Sequence, residues 1–232
     1  MAKRLFDIVS SSLALVVLSP VFLLAALGVF VSDPGPVIYR ANRIGYRGKL
    51  FTMFKFRSMR REQGRRFTVS GDDRIYPFGA FIRKTKIDEL PQLVNVLLGT
   101  MSVIGPRPED PHFVEQHYTE CGRKTLNVIP GLASPGSLFD YTHGSSYLGD
   151  GSTEEDYVNR LLPTMLALEV VYVENHSFVG DLKLVIRTAS TIAQIICGRR
   201  FFPEPPEMTR AREILRDNPP CAGQFSTSGP NG

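Results

Sequence analysis

Two adjacent carboxylates, Asp88 and Glu89, are the residues of this chain with the clearest potential for chemistry. They closely follow three cations, Arg83, Lys84 and Lys86. An adjacent acidic pair can hold a divalent cation and supply a nucleophile or base, while neighbouring cations hold phosphate. Acidic residues also stabilise the first turn of a helix through its dipole, and this purely structural role is the open alternative.

Arg107 is a second residue suited to binding an anion, because it stands between Pro106 and Pro108. Proline restricts the residue before it, so the guanidinium is presented on a stiff, extended stretch. That arrangement suits bidentate binding of phosphate or carboxylate. An ordinary surface arginine in a turn is the competing interpretation.

The charge distribution places an anionic partner at the N-terminal half. The chain of 232 residues has a net charge of +4, and 14 lysines and arginines but three acids lie between Arg40 and Lys86, with aromatic residues interleaved. Such a stretch is compatible with a nucleic-acid surface, an anionic-lipid surface or a phosphate site. A solvated basic face beside lipid headgroups is the plainest alternative. An uncharged membrane segment nearby makes nucleic acid the least favoured of the three.

The elements around the acidic pair follow from hydrophobic periodicity. Apolar residues recur at helical spacing after the pair and stop at Gly99, which predicts a helix whose first turn holds the pair. The residues of this apolar face are Leu90, Leu93, Val94, Leu97 and Leu98. Upstream, residues 36–59 alternate apolar and basic side chains around a turn at 46–48, which predicts a β-hairpin.

The rest of the chain is predicted to consist of loops and helices. Residues 60–74 and the Gly-, Pro- and Ser-rich residues 128–152 are expected to be loops. Helices are predicted over 154–173 and over 182–197, the second with Asp181 as its N-cap and its apolar face on the membrane surface.

The uncharged run from Ile8 to Val31 predicts a membrane segment, since a helix of 24 residues reaches ~36 Å. Ser19-Pro20 in its middle favours a kink or break. Basic residues, which prefer the cytoplasmic side, lie at both ends, with Lys3 and Arg4 before the run. A helix that enters, bends and leaves on the same face satisfies both clusters, and a kinked span is the alternative.

Cysteine and histidine patterns give no further site. The three cysteines are widely separated and lack a CxxC pair, so neither a disulfide framework nor a zinc site is predicted, and a reducing environment fits best. The four histidines form no metal-ligand pattern.

Taken in order, these motifs resemble the bacterial sugar transferase family, the monotopic phosphoglycosyl transferases. The matching segments are KRLFD at 3–7, Ser19-Pro20, residues 36–59, IDELPQLVNV at 87–96, MSVIGPRPE at 101–109, and positions within 177–188. Family members commonly carry Arg-Pro-Gly and then a Trp-containing stretch, whereas this chain has Ile129-Pro130-Gly131 and no tryptophan. That departure leaves the identity of the nucleotide and of the sugar open.

The resemblance implies an α-rich α+β fold. A re-entrant helix-break-helix membrane anchor, residues 1–32 with its break at Ser19-Pro20, is expected to pack on a small cytoplasmic catalytic domain. That domain, residues 33–202, would consist of helices, some of them interfacial, with a short β-hairpin. Residues 203–232 are expected to be a flexible, Pro-rich tail.

The resemblance also implies an activity: transfer of a phospho-sugar from a UDP-sugar to polyprenyl (undecaprenyl) phosphate, with release of UMP, at the cytoplasmic face of the bacterial inner membrane. In such enzymes the aspartate matching Asp88 forms a phosphosugar-aspartyl intermediate with Mg²⁺ at the acidic pair. Glu89 is assigned to metal support or to activating the lipid phosphate. Expected phosphate- and substrate-binding residues are Lys55, Arg57, Arg83 and Arg107, and expected anchor residues are Lys3, Arg4, Asp7, Ser19 and Pro20.

The expected partners are therefore the UDP-sugar donor, the polyprenyl phosphate acceptor and the lipid bilayer, with no nucleic acid, and a homodimer is left open. Two other functions are the alternatives. A catalytically silent adaptor would bind anionic lipid through the basic half, and a phosphatase would act on polyprenyl diphosphates through the same aspartate.

Overall fold

A computed structural model describes residues 2–60, 72–149, 152–217 and Cys221. The helices are α1 (Ala2–Val17), α2 (Ser19–Ser32), α3 (Pro77–Lys84), α4 (Gln92–Leu98), α5 (Pro111–His117), α6 (Glu120–Arg123), α7 (Pro135–Tyr147), α8 (Glu154–Asp156), α9 (Leu162–Asn175), α10 (Phe178–Ile196) and α11 (Met208–Asp217). The strands are β1 (Ile38–Ile44), β2 (Leu50–Phe56), β3 (Ser102–Ile104) and β4 (Gly131–Ala133). The helix-rich fold with a short antiparallel hairpin is confirmed.

The predicted hairpin is formed by β1 and β2, which pair from Ile38 opposite Phe56 to Ile44 opposite Leu50. Its turn lies at the predicted residues, where Arg47 adopts a left-handed φ of 58°. The parallel pair of β3 with β4 was not predicted. A strand of three residues is too short to produce a recognisable alternation.

Helix α4 is the predicted helix that follows the acidic pair. A 3-10 turn, Ile87–Glu89, leads into it, and Gly99 ends it with a φ of 81°. Asn95, which is buried in the middle of α4, donates a hydrogen bond to the Thr52 carbonyl (2.7 Å) and accepts one from the Phe54 amide (3.0 Å). Because one side chain satisfies both groups, α4 is fixed against the backbone of β2.

The N-terminal apolar run folds as two helices, α1 and α2, bent by 63°. Among the described residues no single helix has the length and hydropathy for a membrane span, whereas this bent pair passes the same criteria together. The break falls at the predicted position. Pro20 lies in the first turn of α2, where its missing N–H removes no helical hydrogen bond.

Arg4 docks α1 on the end of α4. Its guanidinium donates to the carbonyl oxygens of Val96 and of Leu97, the latter at 2.7 Å. The last carbonyls of a helix lack helical partners and carry partial negative charge, so a guanidinium satisfies them well. Arg4, one of the expected anchor residues, therefore ties α1 to the domain.

Two further charged residues of α1, Asp7 and Lys3, also bind groups of the domain. Asp7, 4% exposed, accepts hydrogen bonds from the Ser102 hydroxyl and the Val103 amide of β3, both at 3.0 Å. Lys3 forms an ion pair with Asp181 of α10. Asp181 is thus a partner of the anchor and not the N-cap of α10; that role belongs to Ser177, whose hydroxyl accepts from the Gly180 amide.

The other sides of α1 and α2 present large apolar side chains to the surroundings. The exposed residues are Leu5, Val9, Leu13, Val16, Val17, Leu23, Leu24, Leu27, Phe30 and Val31. Helix α10 adds Val179 and Ile186, which are also mostly exposed. A contiguous apolar surface of this kind marks a membrane or protein interaction face.

The core of the domain is centred on α9, which is buried from Leu162 to Tyr172. Pro163 lies in its first turn, and a π-helical turn, Tyr157–Leu161, joins α8 to α9. The predicted helix over 154–173 is confirmed with this irregularity. Helix α7 packs along α9 and occupies most of the region that sequence reasoning expected to be a loop.

That expectation was wrong because α7 has weak local signals. It contains a proline and two glycines, and its intrinsic helix propensity is low. Ser134 caps it by accepting from the Ser137 amide, and burial of Leu138 and Phe139 supplies stability that propensity does not. Of the other predicted loop, residues 61–71 lie outside the described residues.

Part of the expected flexible tail is also ordered. Helix α11 buries Met208, Ala211 and Ile214 against the core around α9. Cys121 and Cys221 form a disulfide, which the cysteine pattern of the sequence did not indicate. Their separation of 100 residues gives no sequence signal for pairing.

Removal of the Asp7 carboxylate tests the docking of α1. We expect Asp7→Ala to lower the free energy of unfolding by about 2 kcal/mol, because the Ser102 hydroxyl and the Val103 amide lose their acceptor. Ser10→Ala is the matched control, since its hydroxyl bonds only within α1. Denaturant unfolding of the detergent-solubilised protein measures both, and equal stability of the two variants would contradict this docking.

Candidate active site

The acidic pair lies in an irregular segment between α3 and α4. Lys86, with a left-handed φ of 59°, precedes the 3-10 turn that carries Asp88 and Glu89. A left-handed conformation is uncommon outside glycine and costs free energy, so such residues concentrate at functional sites. This turn places Asp88 in a buried position and leaves Glu89 facing a polar pocket.

Glu89 is held by a lysine and a tyrosine. The Lys55 ammonium lies 3.5 Å from Oε1, and the Tyr141 hydroxyl donates to Oε2 at 2.9 Å. Burial alone would raise the pKa of Glu89, but the cations Lys55 and Lys86 outweigh burial and lower it to about 2. Glu89 is therefore a permanent anion at neutral pH.

Asp88 differs from its neighbour in both burial and pKa. It is 6% exposed, and its Oδ1 has no hydrogen-bond partner within the described part of the chain. Burial, and after it the negative charge of Glu89, raise the pKa of Asp88 to about 6, against the opposing effect of Lys55. A carboxylate with an open oxygen and a raised pKa retains basicity at neutral pH, as a nucleophile requires.

Lys86 and Tyr141 enclose the pair from the other side. The Lys86 ammonium lies 3.4 Å from the centre of the Tyr141 ring, a cation–π contact. Burial lowers the pKa of Lys86. Tyr141 thus contacts both a cation and, through its hydroxyl, the anion Glu89.

A polar pocket opens beside Glu89. Its polar lining consists of Arg43, Lys55, Glu89, Gln92, Arg107, Glu109 and Ser137. The loop after β3 carries Arg107, and β4 forms the adjacent wall. A Cβ atom on Gly131 would lie 2.0 Å from the Gly105 nitrogen, so this close approach of the two strands requires glycine.

Arg107 is the strongest candidate in this pocket for binding an anion. Its guanidinium forms no hydrogen bond or ion pair among residues 2–60, 72–149 and 152–217. Burial alone would lower its pKa, but the nearby anions Asp140 and Glu89 hold it well above the usual value. By contrast, Arg43 is paired with Asp110 at 2.9 Å.

Some of the predicted site residues line the pocket, and others lie outside its wall. Lys55, Glu89 and Arg107 line one pocket, and Asp88 lies within electrostatic reach of Lys55. Arg83 affects the pKa of Asp88, but its guanidinium contacts the Ser58 hydroxyl at 3.5 Å and is not part of the pocket wall.

Arg57 lies elsewhere, and its expected role in binding phosphate does not fit its contacts. It is 5% exposed and its Nη1 lies 3.0 Å from the Asp33 carboxylate, where it fixes the connection from α2 to β1. Strand β2 ends at Phe56, so Arg57 does not continue the alternation that brings Lys55 to the pocket.

Sequence reasoning missed several residues of this site. Tyr141 and Ser137 belong to α7. Because this region was expected to be a loop, neither residue was predicted to lie at the site. Gln92 follows the acidic pair within the recognised motif but has no distinctive chemistry by itself. Lys86 was noted only as one of a run of cations.

The chain belongs to the bacterial sugar transferase family, whose family model matches residues 1–195. The exopolysaccharide production protein PSS of Rhizobium leguminosarum bv. phaseoli is 34% identical over 217 residues, which cover 86% of this chain and 98% of that protein. The UDP-glucose:undecaprenyl-phosphate glucose-1-phosphate transferase of Caulobacter vibrioides is 32% identical over 204 residues, which cover 82% and 69%.

A third relative is the UDP-N-acetylgalactosamine-undecaprenyl-phosphate N-acetylgalactosaminephosphotransferase of Aeromonas hydrophila. It is 35% identical over 195 residues, which cover 82% of this chain and 43% of that protein. The chain therefore spans less than half of this larger relative.

The electrostatics of the acidic pair can be tested in the protein without metal. Because the Lys55 ammonium lowers the pKa of Asp88, we expect Lys55→Met to raise that pKa above its value of about 6. Titration of ¹³Cγ-labelled aspartate by NMR in EDTA measures the shift. Lys49→Met, on the exposed hairpin turn, is the control. An unchanged Asp88 pKa in Lys55→Met would show that the two side chains are not coupled.

Proposed function

We propose that this protein transfers a phospho-sugar from a nucleoside diphosphate sugar, a UDP-sugar, to a polyprenyl phosphate such as undecaprenyl phosphate, with release of UMP. The observation that carries the proposal is the buried Asp88 carboxylate beside Glu89 and the cation Lys55; its Oδ1 accepts no hydrogen bond from the residues that the structure describes. Family membership and the names of two relatives, which act on undecaprenyl phosphate, support the same reaction.

The proposed reaction has two displacements at phosphorus. In the first, an Asp88 oxygen bonds to the sugar-bearing phosphorus, and the anhydride bond breaks, so that UMP leaves with the electron pair. In the second, an oxygen of the lipid phosphate attacks the same phosphorus and displaces the Asp88 carboxylate. The products are UMP and a polyprenyl-diphosphate-sugar, and Asp88 is regenerated.

The cations of the pocket fit the electrostatic demand of this reaction. A carboxylate approaches a diphosphate only when the phosphate charge is neutralised. Lys55 and Arg107 line the pocket and supply that charge from two sides. Glu89, an anion held by Lys55 and Tyr141, would support the metal ion.

A magnesium ion fits the acidic pair as a cofactor. The described residues contain no group of three or more His, Cys, Asp or Glu side chains suited to a metal ion. Mg²⁺ needs no such group, because it binds one or two carboxylates together with substrate phosphates and water. The open Oδ1 of Asp88 and the Glu89 carboxylate would hold it, and the ion would neutralise charge on the diphosphate.

The bent pair α1–α2 is proposed to be a re-entrant anchor in the cytoplasmic membrane. Its apolar surface would insert in the bilayer, while Lys3, Arg4 and Asp7 on its inner side hold the domain against it. Such an anchor keeps the pocket near the headgroups on the cytoplasmic side, where a soluble donor and a lipid phosphate can both reach it.

Helix α7 is proposed to contribute to donor recognition. Ser137 and Tyr141 come from the stretch that departs from the family pattern, and both contact the pocket or its acidic pair. The sugar is therefore to be determined by screening.

Release of UMP tests the proposal. Purified protein with Mg²⁺ and undecaprenyl phosphate is incubated with a panel of UDP-sugars. At least one UDP-sugar should yield UMP, and Asp88→Asn should reduce the rate by at least about 10³-fold, because the nucleophile is lost. Asp73→Asn, at an exposed aspartate outside the pocket, is the control and should keep the wild-type rate.

Other outcomes identify the competing functions. An Asp88→Asn variant with unchanged activity would contradict the role of Asp88. A folded wild-type protein that turns over no donor but binds anionic vesicles would indicate the adaptor. Release of inorganic phosphate from a polyprenyl diphosphate without nucleotide would indicate the phosphatase.

The topology of the anchor is testable by cysteine labelling in a Cys197→Ser background. Single cysteines replace two exposed residues: Ala2, at the start of α1, and Arg40, on β1 after the end of α2. With a membrane-impermeant maleimide, we expect both positions to be protected in intact spheroplasts and labelled after permeabilisation. If one position is labelled in intact spheroplasts and the other is not, the pair spans the membrane.

A further inference from the structure

Glu169 is a buried carboxyl group that lies behind the pocket and outside the reacting groups. It projects from the middle of α9 and is 2% exposed. Its Oε1 accepts hydrogen bonds from the Arg107 amide (3.3 Å) and from the Ser134 hydroxyl. Its Oε2 is buried and has no hydrogen-bond partner within the described part of the chain.

These two donors belong to two separate walls of the site. Arg107 lies on the loop after β3, whereas Ser134 and Gly136 begin α7, the helix that carries Ser137 and Tyr141. A Cβ on Gly136 would lie 2.5 Å from Oε1 of Glu169, so the start of α7 is pressed against the carboxyl group. One side chain therefore sets the distance between the Arg107 loop and α7.

We propose that Glu169 is a positioning residue for donor binding. It fixes the distance between the Arg107 loop and the start of α7. The inference rests on the proposed transfer reaction. Loss of the acceptor at Glu169 would leave the Arg107 amide without a partner and would leave the Ser134 hydroxyl with only the Ser137 hydroxyl, at 3.0 Å, behind the pocket. The guanidinium of Arg107 would then no longer be fixed opposite Lys55, although every group of the pocket wall would still be present.

The test compares two substitutions of similar size. Glu169→Gln keeps an oxygen acceptor at the same place, whereas Glu169→Met keeps the length of the side chain but removes the acceptor. Glu174→Met, on the same helix and paired with Arg210 at 3.8 Å, is the matched control. Thermal unfolding of all three establishes that they are folded before kinetics are measured.

We expect Glu169→Met to raise the donor KM about tenfold, the effect of one lost hydrogen bond, with the KM for undecaprenyl phosphate unchanged. Glu169→Gln and Glu174→Met should stay within about threefold of wild type. Hydrogen exchange should be faster at the amides of Gly105, Arg107, Ser134, Gly136 and Ser137 in Glu169→Met only. A donor KM in Glu169→Met equal to that of Glu169→Gln, or equal losses for donor and acceptor, would overturn the inference.

Failure of the proposed function would be recognised separately. If wild-type protein turns over no UDP-sugar, the same variants are titrated with UDP by calorimetry. Weaker binding by Glu169→Met than by Glu169→Gln would then support the positioning role without the reaction. Equal binding, or no binding of UDP by any variant, would overturn the inference.

Discussion

The rest of the structure depends on the polar docking of α1 against the end of α4. Arg4 satisfies the last carbonyls of α4, and Asp7 and Lys3 add contacts to β3 and α10. A buried charge or carbonyl without a partner is costly, so these contacts specify one arrangement of α1 and the domain. Since the acidic pair lies just before α4, the interaction that fixes α1 also holds the segment that carries Asp88.

The contacts of α4 also position the groups around the acidic pair. Asn95 fixes β2 on α4, and β2 brings Lys55 to Glu89. The result is a pair of adjacent carboxylates with opposite pKa shifts: burial raises the pKa of Asp88, and cations lower that of Glu89. One carboxylate stays anionic while its neighbour keeps the basicity of a nucleophile. Local sequence alone would have made the two groups nearly equivalent.

Much of this arrangement was predictable because its signals are local. The break at Ser19-Pro20 follows from the missing proline N–H, and the helix after Asp88 follows from its apolar spacing and from Gly99 as its stop. The features that were not predicted depend on contacts between residues far apart in the sequence. Helix α7, with Tyr141, is stable through packing on α9, and Arg57 lies beyond the end of its strand, where charge counting does not reveal its partner. Glu169, inside an apolar helix, has no signal in the sequence.

The most direct test of this account is the covalent state of Asp88. Wild-type protein, Mg²⁺ and a reactive UDP-sugar are mixed without lipid acceptor, quenched rapidly and analysed by intact-protein and peptide mass spectrometry. The account predicts an added mass of one phospho-sugar on the peptide that contains Asp88, lost when undecaprenyl phosphate is added and absent in Asp88→Asn. Efficient turnover with no adduct at any time, or an adduct on another residue, would contradict it.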